Sequence, residues 1–203
     1  MMHDVNGTAA DDDPTGLRAF LFGDAELDRW PDAATPATGE PWQSFERARA
    51  AIRAGDDVDA AAIWHEIAAS ADDPRNVLQA WHFLRGIGRA PQDAEASRAL
   101  GVVVEVAVDG GHDLLAAYPG GAVRYLNVGG AAVVIEPGPE EAGDITVLVE
   151  DLVRAGQTVA DVIGPWTDPP LPNLPPGHSR ITVLTPSGPH LGQGPDEALR
   201  ADG

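Results

Sequence analysis

The sequence predicts an α+β protein: a helical N-terminal half, then an antiparallel meander sheet of five to six strands with one long helix packed on it. Three observations carry that expectation. Gly pairs at 110–111, 120–121 and 129–130 punctuate apolar, β-branched runs between Val102 and Glu136, and glycine pairs in such a setting mark hairpins because Gly reaches positive φ without steric cost. Between Trp42 and Leu100 the apolar period is three to four residues, that of amphipathic helices. After the meander the helical period returns over Ile145–Ile163, and two last short runs, Ile181–Thr185 and His190–Gln193, flank the turn Pro186-Ser187-Gly188.

Taken in order, residues 1–40 hold nine acids against two arginines, with Asp11-Asp12-Asp13-Pro14 at the centre. Such a segment buries too little apolar surface to offset its ordering entropy, so it reads as a largely disordered tail and linker, with residues 1–15 disordered outright. The patch Leu17, Phe20, Leu21, Phe22 is the exception, expected to form a short helix docked on the body, with Trp30 docking likewise. Residues 41–100 form the helical region. Trp42, Phe45, Ala48 and Ile52 make the first stripe, ended by Gly55 and followed by a cap at Asp56 or Asp57. The next helix carries Ile63 and Ile67, and a third starts at Pro74 with Asp73 as its cap. A shorter fourth is expected over Gln92–Leu100. The first two resemble about one repeat of the tetratricopeptide type, too little for an array, so a plain antiparallel hairpin is expected.

Residues 101–203 form the sheet domain. Val102–Val108 reads as a strand with Glu105 alone on its polar side, followed by strands at 114–118, 122–128 and 131–136. In the long helix Asp144 is the expected cap, Leu148, Leu152, Val159 and Ile163 form the apolar stripe, and Gly156 marks close approach to the sheet. Residues 165–177, with six prolines, form an extended connector over the surface. This element order is that of profilin-like, longin-like and PAS-like domains, an analogy of fold that carries no function.

Composition excludes more than it assigns. The chain has no cysteine, and all 13 of its basic residues are arginine. Disulfides, thiolate metal sites, cysteine nucleophiles, Schiff-base lysines and the P-loop lysine are therefore all absent. A net charge of −19 opposes binding to nucleic acid phosphates and to anionic membranes. No basic, then apolar, N-terminal leader is present and no run approaches the length of a membrane span, so a cytoplasmic location is expected. The six histidines show no His-x-His or His-Glu-x-x-His spacing, so neither a metal nor a cofactor is expected. His65 and His82 read as hydrogen-bonded helix residues. Ser179, Thr185 and Ser187 become nucleophiles only with a histidine beside them in space, and Ser187-Gly188 reads as turn chemistry.

Two features stand apart. Tyr118, Arg124, Tyr125 and Asn127 crowd an otherwise apolar sheet and are the candidate ligand-binding residues; alternation puts Val123, Tyr125 and Asn127 on one face and Arg124, Leu126 and Val128 on the other, so Tyr125 and Asn127 together line any pocket. Trp166 opens the proline-rich connector and is the candidate interface anchor. The expected function is a non-enzymatic, cytoplasmic interaction or accessory protein with a protein partner; the alternative is a small-ligand sensor or enzyme with a pocket at Tyr125 and Asn127. A pocket at that face favours the second reading, and a solid sheet with an exposed apolar patch favours the first. Nothing in the chain sets its oligomeric state.

The runs LQAWHFLRGIG (78–88), LGVVVEV (100–106), DLLAAYPGGAVRYLNVGGAAVVIE (113–136), IGPW (163–166) and LTPSGPHLGQGP (184–195) resemble a family of uncharacterised bacterial proteins. That resemblance implies no activity and transfers no site residue.

Overall fold

A computed structural model describes residues 17–31, 38–136, 143–168 and 171–201. The expectation of disorder at residues 1–15 and the loop residues 137–142 lie outside these. The stretch 17–31, within the segment read as tail and linker, is packed. Helix α1 (Leu17–Phe22) and a 3-10 turn at Leu27–Arg29 lead to Trp30, and Leu21, Phe22, Ala25 and Trp30 are all buried. The Gln79 side chain fixes this stretch to the helices: its Nε2 donates to Ala25 O at 2.9 Å and its Oε1 accepts from Ala25 N at 3.0 Å.

Helices α2 (Trp42–Ala54), α3 (Asp57–Ser70) and α4 (Pro74–Gly86) follow with the expected punctuation. Gly55 closes α2 in the left-handed region at φ 79°. Asp56 caps α3 by accepting from Asp59 N, and Asp73 caps α4 by accepting from Arg75 N with Pro74 in the first turn. These contacts satisfy amide groups that a helix start leaves without an internal partner. Trp64, Phe45 and Phe83 interlock at the centre of the bundle, with ring centroids 5.2 and 6.2 Å apart for Trp64–Phe83 and Phe45–Phe83. The expected fourth helix shrinks to one turn, α5 (Asp93–Ala96). Beyond it the backbone is held by other partners: Ala99 N donates to Gln157 Oε1, and Leu100 N to Leu184 O. Those bonds recruit Ala99 and Leu100 toward the sheet before a second helical turn can form.

The sheet has six strands, β1 (Gly101–Val108), β2 (Gly111–Tyr118), β3 (Ala122–Leu126), β4 (Ala132–Ile135), β5 (His178–Thr185) and β6 (Gly188–Pro195). Their spatial order is β4-β3-β2-β1-β5-β6, antiparallel throughout. Both faces are covered in part. Val103, Leu114, Ala116, Tyr118 and Leu184 point into a cluster continuous with the N-terminal helices. Val102, Ala117, Val123 and Val183 point the other way, onto Val149, Val153 and Ala160 of α6 (Asp144–Ala160). Glu105 shares its face with Val103, so its side is a buried interior rather than the solvent side expected for it.

Helix α6 corrects the sequence reading in one respect. Its buried residues are Val149, Val153, Gly156 and Ala160, whereas Leu148 and Val159, expected in the inward stripe, are 67% and 43% exposed. The small residues Gly156 and Ala160 win the inner face because they let the helix approach the sheet closely. A Cβ on Gly156 would stand 2.8 Å from Val102 Cγ2 and 3.3 Å from Val183 Cγ2. Gly156→Val is therefore expected to lower stability by about 3 kcal/mol through overpacking; an unchanged urea midpoint would show that α6 does not seat there. Asp144 is the first helical residue rather than the cap, which is Gly143.

After α6 the chain turns along the β6 side of the sheet. Trp166 N donates to Pro189 O at 2.7 Å, Gln193 Nε2 donates to Asn173 O at 3.0 Å, and Arg180 reaches Pro172 O. The connector thereby shields β6, leaving β4 as the outer strand at the opposite side. The last helix, α7 (Asp196–Ala201), starts where β6 ends, and Ser179 Oγ donates to Asp196 Oδ1 at 2.7 Å.

Candidate functional site

The four candidate ligand residues do not converge. Tyr118 is 1% exposed and lies on the helix-bundle face, where its hydroxyl donates to Leu21 O at 2.6 Å. Burial pushes its pKa up, so it stays protonated as a structural tie. Arg124 points to the same face, because its cross-strand partner Ala116 belongs to that cluster. It donates to Val123 O and Ile135 O and pairs with Glu136. Tyr125 lies on the opposite face. Its hydroxyl donates to Asp113 Oδ2 at 2.7 Å, while Val128 N donates to Asp113 Oδ1 at 3.0 Å. These bonds hold the Asp113 carboxyl below its ordinary pKa, the Tyr125 bond acting most. The Asn127 side chain accepts from Ala131 N at 2.8 Å and shapes the β3–β4 turn. The Tyr118 and Tyr125 hydroxyls, the Asn127 amide oxygen and the Arg124 guanidinium each make a local bond.

What the α6 side of the sheet offers is apolar surface. Cross-strand partners share a face, and the pairings Val133↔Tyr125, Tyr125↔Leu115, Leu115↔Val104 and Val104↔Ile181 run one unbroken row across five strands. The neighbouring row, Ile135, Val123, Ala117, Val102 and Val183, lies under α6; this one does not. Leu115 and Ile181 are each 37% exposed and Val133 is 53% exposed.

The flank of α6 beside that row is apolar too. Gln157 bonds Ala99 N and Ser97 O, and Glu150 Oε1 accepts from Gly120 N. Those partners lie at the start of β1 and in the β2–β3 turn, so the polar flank of α6 faces that end of the sheet. Successive helix residues are rotated by about 100°, which turns Ile145, Leu148, Leu152 and Val159 to the opposite flank, above the exposed row. Sheet floor and helix wall together form an apolar shelf. The sequence held a trace of it: α6 has more apolar residues than one stripe needs, with Val147 exposed besides Leu148 and Val159.

Trp166 is 37% exposed at the β6 margin, its indole N–H donating to Asp168 O at 2.5 Å. The neighbouring Val162 and Ile163 are also exposed, which prolongs the apolar strip beyond the end of α6.

Ser187 does have a histidine beside it. Its Oγ lies 3.2 Å from His190 Nε2 and 2.9 Å from Thr185 Oγ1, and His190 Nδ1 lies 2.6 Å from Ile163 O. With Nδ1–H donating to that carbonyl, Nε2 accepts the serine proton, the polarity of a nucleophile–base pair. The surroundings are those of a turn lock. Ser187 N is spent on Ala96 O, Thr185 Oγ1 donates to Gly188 O, and His190 is 2% exposed. Two surface clefts lie elsewhere. One of about 620 Å³ sits between α2 and α3 beside Arg47, Asp59 and Glu66, and one of about 480 Å³ beside Pro74, Arg98 and Pro119. Neither touches the shelf, Ser187 or the ligand candidates. Among the described residues no three His, Asp or Glu side chains are grouped to hold a metal, and no helix is long and apolar enough to cross a membrane. Comparison with family models, curated proteins and solved structures finds no match.

Proposed function

We propose that this is a non-enzymatic, cytoplasmic interaction module that engages a protein partner through the apolar shelf between α6 and the exposed row of the sheet. The carrying observation is that row, continuous across five strands, with Leu115, Ile181 and Val133 exposed and Val104 and Tyr125 half-buried between them. Exposed contiguous apolar surface rimmed by polar residues is the usual mark of an interaction site. The sensor or enzyme alternative draws no support from Tyr125 and Asn127, whose hydroxyl and amide oxygen are used locally and beside which neither of the two clefts opens. A charge of −19 disfavours nucleic acid and anionic membrane as the partner and supports a protein one.

The test places a photo-crosslinking residue at Leu115, and separately at Val58, which is 73% exposed on α3, in the cells the protein comes from. The expected result is a discrete protein adduct at Leu115 and none at Val58. An adduct of small-molecule mass, or equal labelling at both positions, removes the reading. Trp166→Ala is expected to leave the melting temperature nearly unchanged, since the ring is partly exposed and the bond from its backbone N–H to Pro189 survives; a large loss of stability would assign Trp166 to the core.

A further inference from the structure

The shelf has the dimensions of one more helix. Strands of eight residues such as β1 and β2 extend about 26 Å, and a helix with its side chains covers about 10 Å of that length. Helix α6 takes the row through Val102, and the rows through Val104 and Val106 are left beside it. A helix set next to α6 at the usual separation of about 8–10 Å fills that width. Its length follows from the strand count. Crossing from Ile181 to Val133 spans five strands, about 19–24 Å at 4.8 Å per strand, or about 13–16 helical residues.

Charge selects the chemistry of the occupant. Asp113 ends the second open row, paired with Val106. Asp196 and Glu197 begin α7 at the β5–β6 end, where Leu199 lies 4.0 Å from the position of a Gly194 Cβ. Asp151 tops the wall, paired with Arg154. The Tyr125 hydroxyl and Val128 N–H keep Asp113 ionised. A second copy of this chain is a poor occupant on two counts. It brings another −19 charges, and the outer crest of its α6, where exposed Asp151, Arg154 and Thr158 outnumber the one apolar residue Val147, would be pressed into an apolar floor.

Resting on the interaction reading above, we infer that the shelf takes a basic amphipathic helix from another protein, laid beside α6 with its apolar stripe on Val104, Leu115, Ile181 and Leu148 and its arginines or lysines over Asp113, Asp151 and Asp196. Apolar burial supplies affinity and the acidic surround supplies orientation and encounter rate.

The probe is a synthetic peptide of about 16 residues, built of leucine and arginine with leucines at helical spacing. Two controls accompany it: the same composition in strict alternation, and a leucine–glutamate version at helical spacing. Binding is measured by calorimetry to the wild-type protein and to Leu115→Ser/Leu148→Ser, at a temperature where melting curves show the variant folded, with Leu148→Ser alone, at the more exposed position, as a second variant and Val58→Ser as the remote control. The proposal expects the helical basic peptide to bind and to weaken about tenfold or more in the double variant. Val58→Ser leaves it unchanged, and affinity falls as salt is raised. Equal binding of the alternating peptide, equal binding to the double variant, or preference for the glutamate version overturns it. So does a doubled mass in sedimentation equilibrium that Leu115→Ser abolishes, which would assign the shelf to a second copy. If no peptide binds while Leu115 still crosslinks a protein in cells, the helix is overturned and the interaction reading stands; if both fail, both fall.

Discussion

Arg180→Met is expected to destabilise the protein by about 3–5 kcal/mol, the scale for removing one partner of a buried ion pair. Glu105 and Arg180 are 4% and 5% exposed, and Arg180 Nη1 donates to Glu105 Oε2 at 3.2 Å. The guanidinium also donates to Gln193 Oε1 and Pro172 O, so one side chain joins β1, β5, β6 and the connector. A second cation, Arg18, forms a longer ion pair with Glu105, its Nε 3.8 Å from Oε1; it keeps part of the compensation without replacing the Arg180 hydrogen bond, which places the expected loss toward the lower end of that range. Methionine keeps much of the volume and leaves a carboxylate between sheet and helices. For a domain of this size the loss reads as a fall in melting temperature of about 10 °C. The companion variant Glu105→Leu/Arg180→Met separates charge from packing. Replacing both members of a buried pair by apolar groups is often neutral or stabilising, so the double variant should recover most of the loss. A single variant that melts like wild type, or a double variant no better than the single, would show that the pair does not hold this junction.

The same pair marks where reading the sequence reached its limit. The hairpins were legible because Gly120 and Gly121 take φ of 87° and 89°, a conformation that residue type announces locally. Asp56 and Asp73 were legible for a similar reason: a cap bonds an amide two or three residues away. Whether a strand face is wet or dry is not local. Glu105 among valines reads as a solvent side until the N-terminal segment closes over it and brings Arg18 beside its carboxylate. The stripe of α6 failed for the same cause. Leu148 and Val159 are more hydrophobic than Gly156 and Ala160, yet the small residues face inward, with Leu152 only at the margin of the buried cluster, because the sheet surface, set by Val102 and Val183, rewards close approach over side-chain size. Tyr125 was placed on the right face by alternation, but its partner Asp113 comes from the neighbouring strand. The shelf depends on register across five strands and on which flank of α6 is bonded to Gly120 and Ala99, facts that no single segment contains.

The second large effect is acid sensitivity from His82. This residue lies on α4, partly buried, and burial, with help from the neighbouring Arg85 charge, pushes its pKa from 6.5 down to about 4. Arg85 is itself desolvated and held in place by donating to Pro186 O, so the cation cannot readily swing away. Above pH 6.5 the imidazole is neutral in both folded and unfolded chains, and its contribution to stability is fully present. As pH falls from 6.5 toward 4, the unfolded chain takes up a proton that the folded protein refuses, so stability falls with pH, by at most about 1.4 kcal/mol per pH unit. Over the whole window, and allowing for partial exposure, that amounts to about 2–3 kcal/mol, lost by pH 4. The many carboxylates also titrate in this range, which makes the difference between proteins the informative quantity. His82→Gln keeps a neutral polar side chain and cannot take the proton. Urea unfolding of both proteins at intervals from pH 4 to 7.5 should therefore give a variant whose stability falls less steeply below pH 6.5, with the two curves parallel above it. Curves that stay parallel down to pH 4 would mean that the His82 ring charges as readily in the folded protein as in the unfolded chain, and that the seat between α4 and its neighbours admits water.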